Sequence, residues 1–98
     1  MQFLMICRRR IESFPAEEFD KYLDDEAEEL RRLYAEGFVR NAWSRNDVLG
    51  AVLQIEADTM EQVEQQVRRL PLVARDMMDL QVIPLKGYRG FGPRYSAK

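Results

Sequence analysis

Apolar side chains run almost unbroken from Gln2 to Arg9 (FLMIC), the pattern of a strand covered on both faces. Ser13-Phe14-Pro15 then reads as a helix start. Ser13 is a cap candidate, Pro15 suits the first turn, and Glu17 and Glu18 sit near the positive helix end. The pattern carries this helix to Glu36, with Gly37 as its C-terminal stop. Phe38–Arg45 and Val48–Ala57 are two predicted strands joined by a tight turn at Asn46-Asp47. Thr59 with Gln62 three residues on forms a capping box. Met60, Val63, Val67 and Leu70 mark one face of the helix it opens, which Pro71 stops. An irregular stretch leads to a last strand over Asp79–Lys86, where Pro84 argues for a sheet edge. Residues 87–98 (GYRGFGPRYSAK) keep no period and form a tail to the domain 1–86. The order β-α-β-β-α-β predicts a ferredoxin-like α+β fold, a four-stranded antiparallel sheet with both helices on one face.

The pattern also sorts side chains. Wound at 100° per residue from Phe19, Tyr22, Leu23, Ala27, Leu30, Leu33 and Tyr34 fall between about −60° and +80°. Asp24, Asp25, Glu28 and Glu29 fall on the flanks or the back. Glu26 falls at about −20°, inside the apolar stripe. In the hairpin, pairing Arg45 with Val48 sets Trp43 against Gly50, Asn41 against Val52 and Val39 against Gln54. One sheet face then carries Asn41, Trp43 and Gln54. The other, with Phe38, Ala42, Leu49, Ala51, Leu53 and Ile55, is the bed for the helices. Two apolar strand faces and only two helices leave one face needing a cover, which a second subunit laid sheet to sheet would supply.

Composition narrows the chemistry. The 98 residues are 46% apolar and 33% charged with a net charge of −2, the make-up of an ordinary soluble globular chain. That balance argues against nucleic acid as a partner. The lone Cys7 can form no internal disulfide, so a reducing cytoplasm is the expected location. No segment is long enough to span a membrane. There is no histidine, and Cys7 is the single cysteine, so a zinc site within one chain, a Ser-His-Asp relay and a Cys-His pair are all ruled out. No GxGxxG or Walker loop occurs. Catalysis without metal or cofactor would have to use carboxylates, Arg, Lys, Tyr or backbone groups. Glu26 is the sharpest candidate: a carboxylate partly removed from water gains the basicity that general acid/base work needs. The alternative is that Glu26 simply pairs with an arginine.

The segments GFVRNAWSR (Gly37–Arg45), RLPL (Arg69–Leu72) and DLQVIPL (Asp79–Leu85) resemble the muconolactone delta-isomerase family of the dimeric α+β barrel superfamily. The resemblance covers Met1 to about Leu85. It implies a cofactor-free proton shift within an unsaturated lactone acid, and homodimers that build higher rings such as a decamer. It also implies roles for Glu26 in the first helix and for Arg40 and Trp43 in the second strand. Where the family motif reads R-H-x-W this chain has Asn41, which removes the only side chain of that motif titrating near neutrality. The candidate catalytic residues are therefore Glu26 and Asn41, the latter polarising a carbonyl. Trp43, Arg40, Tyr22 and Gln54 are the candidate substrate-binding residues, with Arg40 suited to clamp a carboxylate although the strand alternation sets it opposite Asn41 and Trp43. The triple arginine at positions 8 to 10 reads as a strand end in solvent. Tyr88, Phe91 and Tyr95 of the tail could pack on a neighbouring subunit.

Two rival functions remain open at this point. One is a cofactor-free oxygenase or cyclase acting on an aromatic or polyketide-like substrate. The other is a non-catalytic ligand-binding or assembly subunit. RNA-recognition domains share this element order, but their third strand needs stacking aromatics, and VLGAVLQIEA has none. The motif-like YRGFG lies in the tail instead.

Overall fold

Four strands carry the alternation that builds one antiparallel sheet, in a computed structural model that describes residues 1–91. They are β1 (Gln2–Arg9), β2 (Val39–Ser44), β3 (Gly50–Glu56) and β4 (Met78–Leu85), in the spatial order β2-β3-β1-β4. Both neighbours of β1 run antiparallel to it, and β4 lies at an edge, so the break in pairing that Pro84 imposes is harmless. Phe3, Met5 and Cys7 of β1 alternate onto a buried face, level with Ile55, Leu53 and Ala51 of β3. The helices α1 (Ala16–Asp20), α2 (Leu23–Ala35), α3 (Met60–Val67) and α4 (Pro71–Ala74) complete the described elements, with a short 3-10 turn at Arg89–Phe91. The main core joins that sheet face to Leu33, Val63, Val67 and Leu70, and the α+β architecture matches the sequence expectation.

Two expectations for the first helix are corrected. The first helix is not continuous from Pro15 to Glu36, because it breaks at Lys21-Tyr22, where Tyr22 adopts φ −116° and ψ −1°. The break lets the two halves serve different interiors. Phe19 and Tyr22 pack with Leu72 and Met77 in a small second core, while Leu33 enters the main one. Ser13 is not the cap either; Pro15 holds that position without a side-chain bond. The far end behaves as predicted: Gly37 takes φ +85°, Phe38 N–H bonds the Leu33 carbonyl and Gly37 N–H that of Tyr34, a Schellman closure.

Pro71 does more than stop a helix. It occupies the first turn of α4, a segment the sequence pattern left irregular. The turn after α4 closes at Asp76, whose φ is +58°, and Arg10 holds it by bonding both the Asp76 carbonyl and carboxylate. At α3 the capping box is present: Thr59 Oγ1 accepts from Gln62 N–H, and Gln62 Oε1 accepts from Asp58 N–H.

The hairpin departs from the tight Asn46-Asp47 turn. Arg45 N–H bonds the Gly50 carbonyl, so residues 46 to 49 form the loop, and Leu49 is 57% exposed instead of lying under the helices. Asn41 pairs with Gln54, Ala42 with Leu53 and Trp43 with Val52, two residues away from the predicted register. A two-residue shift preserves parity, so Asn41, Trp43 and Gln54 still share a face. Arg40 is an extra residue, a bulge between the Val39–Ile55 and Asn41–Gln54 pairs. Because of it Val39, not Arg40, turns into the core beneath the helices. In the tail, the exposed Tyr88 and Phe91 rings meet edge to face at 4.9 Å; Tyr95 lies outside the described residues.

Candidate functional site

The inward turn of Glu26 sets up a cavity that joins an apolar lining to a sheltered carboxylate. It lies between the helix-facing side of the sheet and α2 and α4, with a volume of about 160 Å³. Leu23, Leu30, Leu53, Leu72 and Met78 supply the apolar walls. The polar atoms come from Glu26, Arg9, Cys7 and Ser44. That volume suits a ligand well below drug size, for which sites run from about 300 Å³ upward.

Glu26 owes its position to the first turn of α2, where its N–H bonds the Tyr22 carbonyl. Its Oε1 accepts a 2.9 Å hydrogen bond from the Leu72 N–H. Pro71 has no N–H to offer, so Leu72 is the first donor of α4. No salt bridge to Glu26 exists among the described residues; its contact is a backbone amide and not a guanidinium. Burial raises the Glu26 pKa above its ordinary value, opposed by the Leu72 hydrogen bond and by the positive charge of Arg9. Cys7, on the cavity floor, is pushed up to about 12 by burial, with the Glu26 charge adding to the effect and Arg45 opposing it, so it stays a neutral thiol.

The surroundings of α2 are clamped. Arg69 bonds Glu29 through Nε at 2.8 Å and Glu36 through Nη1 and Nη2 at 2.7 and 2.8 Å. Together with the Glu26–Leu72 bond, these contacts tie α2 to the segment leading into α4, the two sides of the cavity roof.

The other sequence candidates lie elsewhere. Asn41, Trp43 and Gln54 share the sheet face that carries Leu4, Ile6, Val52 and Ile83, on the side away from the helices. The structure therefore separates Glu26 from Asn41 by the thickness of the sheet. Trp43 is 49% exposed there, and Asn41 Oδ1 accepts from the neighbouring Ala42 N–H. Arg40 bonds the Gly37 carbonyl at 2.7 Å and borders a different, polar cavity with Glu36, Glu56 and Asp58. Tyr22 does not line the Glu26 cavity; it packs with Phe19 and Leu72 beneath Arg75, whose guanidinium lies 4.2 Å from the ring centre.

Arg9 is the cavity residue that the sequence reading left in solvent. Its signal was parity: it continues the inward series Phe3, Met5, Cys7. Among the described residues no cluster of His, Cys, Asp and Glu could hold a metal ion, and no helix is long and apolar enough to cross a membrane.

The model of the muconolactone delta-isomerase family matches residues 1–90. The chain belongs to this family. No curated protein matches it. Among solved structures, a muconolactone isomerase superposes with a TM-score of 0.73 at 23% identity, covering 91% of this chain and 92% of that one. A 5-chloro-2-hydroxyhydroquinone dehydrochlorinase from Burkholderia phenoliruptrix, solved with 2,5-dihydroxybenzoquinone, gives 0.67 at 19% identity, covering 92% and 98%. At these identities the likeness is one of fold. Muconolactone delta-isomerase family membership thus rests on the sequence match, and the four-stranded α+β scaffold is common to both neighbours.

Proposed function

We propose that this member of the muconolactone delta-isomerase family is a cofactor-independent isomerase that moves a proton within a small unsaturated lactone or related anionic ring compound. One observation carries the reading: the Glu26 carboxylate is held in an apolar cavity by one oxygen, leaving the other unpartnered among the described residues. A base of raised pKa takes a proton from carbon more readily than an exposed carboxylate does. In the reaction, Glu26 Oε2 removes the proton from the ring carbon γ to the lactone carbonyl. The C–H electron pair moves into the ring as a dienolate, with its charge on the carbonyl oxygen. The same carboxyl returns the proton to the α carbon, so Glu26 ends ionised and nothing is consumed.

The test is turnover of muconolactone by wild type and Glu26→Gln, followed by proton NMR in D2O. Gln keeps an oxygen for the Leu72 N–H and loses the basicity. Loss of the base is expected to lower kcat by about 10²- to 10⁴-fold, roughly 3–5 kcal/mol of barrier. Turnover within threefold of wild type would sink the proposal. A second reading begins with the same base: elimination of HCl from a chlorinated hydroxyhydroquinone, supported by the dehydrochlorinase scaffold. There Glu26 accepts the proton while the C–Cl bond breaks and chloride leaves with its electron pair. Chloride release without lactone isomerisation would favour it.

The partner in this reading is a second copy of the chain. The sheet face away from the helices presents Leu4, Ile6, Trp43, Val52 and Ile83, with Gln54 and Asn41 among them. Bare apolar sheet of this kind is normally covered. A homodimer through this face, and rings built from it up to a decamer, would show in sedimentation analysis, and Trp43→Asp is expected to shift the wild-type assembly toward monomer. A wild-type chain that sediments as a monomer would remove this part of the proposal.

A further inference from the structure

Three consecutive arginines end β1, and they have different surroundings. Arg8 pairs with Glu12 and Asp79, and Arg10 with Asp76 and Asp79. Arg9, between them, makes no salt bridge with any described residue. Alternation turns it to the opposite side of the sheet, where it lines the Glu26 cavity. Its guanidinium carbon stands 5.4 Å from the ring centre of Phe19, itself 1% exposed and braced edge-on by Phe14. An aromatic face steadies a guanidinium without using its N–H donors. Arg9 is close enough for Glu26 to feel its charge, yet beyond the 4 Å of an ion pair. A half-buried cation with free donors, in the same cavity as a sheltered carboxylate but not neutralised by it, lacks an anion.

From this juxtaposition we infer that Arg9 is the subsite for the substrate's carboxylate, binding it bidentately while Glu26 Oε2 faces the carbon that gives up the proton. The inference rests on the reading of Glu26 as the base and adds the chemistry of recognition: the ligand is a monoanion whose carboxylate and acidic C–H fit within one cavity of about 160 Å³. It also moves the clamp from Arg40, which borders another cavity, to Arg9. The division of labour is physical. If the resident cation were paired to Glu26, it would hold the carboxylate in its ionised, weakly basic state. Kept apart from it, Arg9 attracts the anion and leaves the base strong.

The probes are muconolactone and its methyl ester, which share a ring and an acidic C–H and differ by one charge. Binding is measured by calorimetry or NMR titration for wild type, Arg9→Met and Arg9→Lys. Met keeps an apolar stem against Phe19. The wild-type protein is expected to prefer the acid, and Arg9→Met to lose about 10- to 100-fold of acid affinity while binding the ester within about twofold of wild type. Arg9→Lys should keep part of the preference, because a point charge cannot fork. In turnover, Arg9→Met should raise KM more than it lowers kcat. Equal affinity for acid and ester in the wild type, or equal losses for both in Arg9→Met, would overturn the clamp, as would no measurable acid binding by the wild type. Should Arg9→Met fail to fold, the acid-to-ester ratio in Arg9→Lys decides alone, and an unchanged ratio overturns it. Normal acid preference in Arg9→Met beside a dead Glu26→Gln would refute the clamp and leave the base. Lost preference beside an active Glu26→Gln would do the reverse.

Discussion

Gly50 stands where the β3 backbone lies tight against that of β1, and it also lines the Glu26 cavity. A Cβ built there would lie 2.1 Å from the Cys7 carbonyl oxygen and 3.1 Å from the Arg8 Cα, both backbone atoms that no rotamer change can move. To reach an ordinary contact of about 3.4 Å, the two backbones must part by about 1.3 Å. The 2.9 Å bond from Arg9 N–H to the Leu49 carbonyl and the 3.0 Å bond from Arg45 N–H to the Gly50 carbonyl are the ones at risk. Losing them costs about 0.5–1.5 kcal/mol each, and overpacking adds about 1–3 kcal/mol. The stiffer unfolded chain returns about 0.4–1 kcal/mol. Gly50→Ala is therefore expected to destabilise by about 3 kcal/mol, a fall in Tm of roughly 12–24 °C for a domain of this size. Gly87→Ala is the control, since a Cβ there meets nothing within 4 Å, and it should stay within about 0.5 kcal/mol of wild type. Urea unfolding followed by circular dichroism measures both. A Gly50→Ala chain as stable as the control, with unchanged amide shifts from Cys7 to Arg9, would refute the close approach.

Because burial raises the Glu26 pKa in the folded chain above its unfolded value, the folded state holds that proton more tightly, and ionisation at higher pH costs stability. Stability contributed by the protonated form is lost as pH rises from the unfolded value through the folded one. The advantage of Glu26→Gln over wild type should accordingly widen across that window and then level off; a gap that narrows with rising pH would contradict the burial. Cys7, 3% exposed and pushed up to about 12, should resist a thiol reagent at pH 8 until the chain unfolds, and stoichiometric labelling of the native protein within minutes would refute this. Leu33, fully buried in the main core, should cost about 2–5 kcal/mol on Leu33→Ala by chemical denaturation, and a loss below 1 kcal/mol would mean that the core closes around it.

Much of the scaffold was legible because its signals are local. The capping box at Thr59, the glycine after α2 and the alternation in β1 each act within a few residues, and each appears where the sequence puts it. The inward aim of Glu26 was legible for the same reason, as helical phase carries from Tyr22 to Leu33 even though the chain breaks before it. What the sequence hid depends on partners far along the chain. The halt at Lys21-Tyr22 and the short α4 form around a second core of Phe19, Leu72 and Met77, whose members are widely separated in sequence. The hairpin register depends on a four-residue loop, and the inward turn of Val39 on an extra residue, and only the sheet pairing exposes either. Arg9 was masked differently: three identical charges read as one solvated run, although adjacent strand positions must face opposite ways.

The bulge at Arg40 sets which world each residue after it inhabits. With that spare residue present, Ala42 and Ser44 look toward the helices, and Asn41 and Trp43 toward the open side. Delete it and the pairs Val39–Ile55 and Asn41–Gln54 become consecutive, so the alternation runs on unbroken and every residue keeps its side. Straighten it without shortening the chain, and either Val39 leaves the core or the indole arrives beneath the helices beside the acid. The spare residue is the joint that lets an inward Val39 and an outward Asn41 stand two positions apart in one strand.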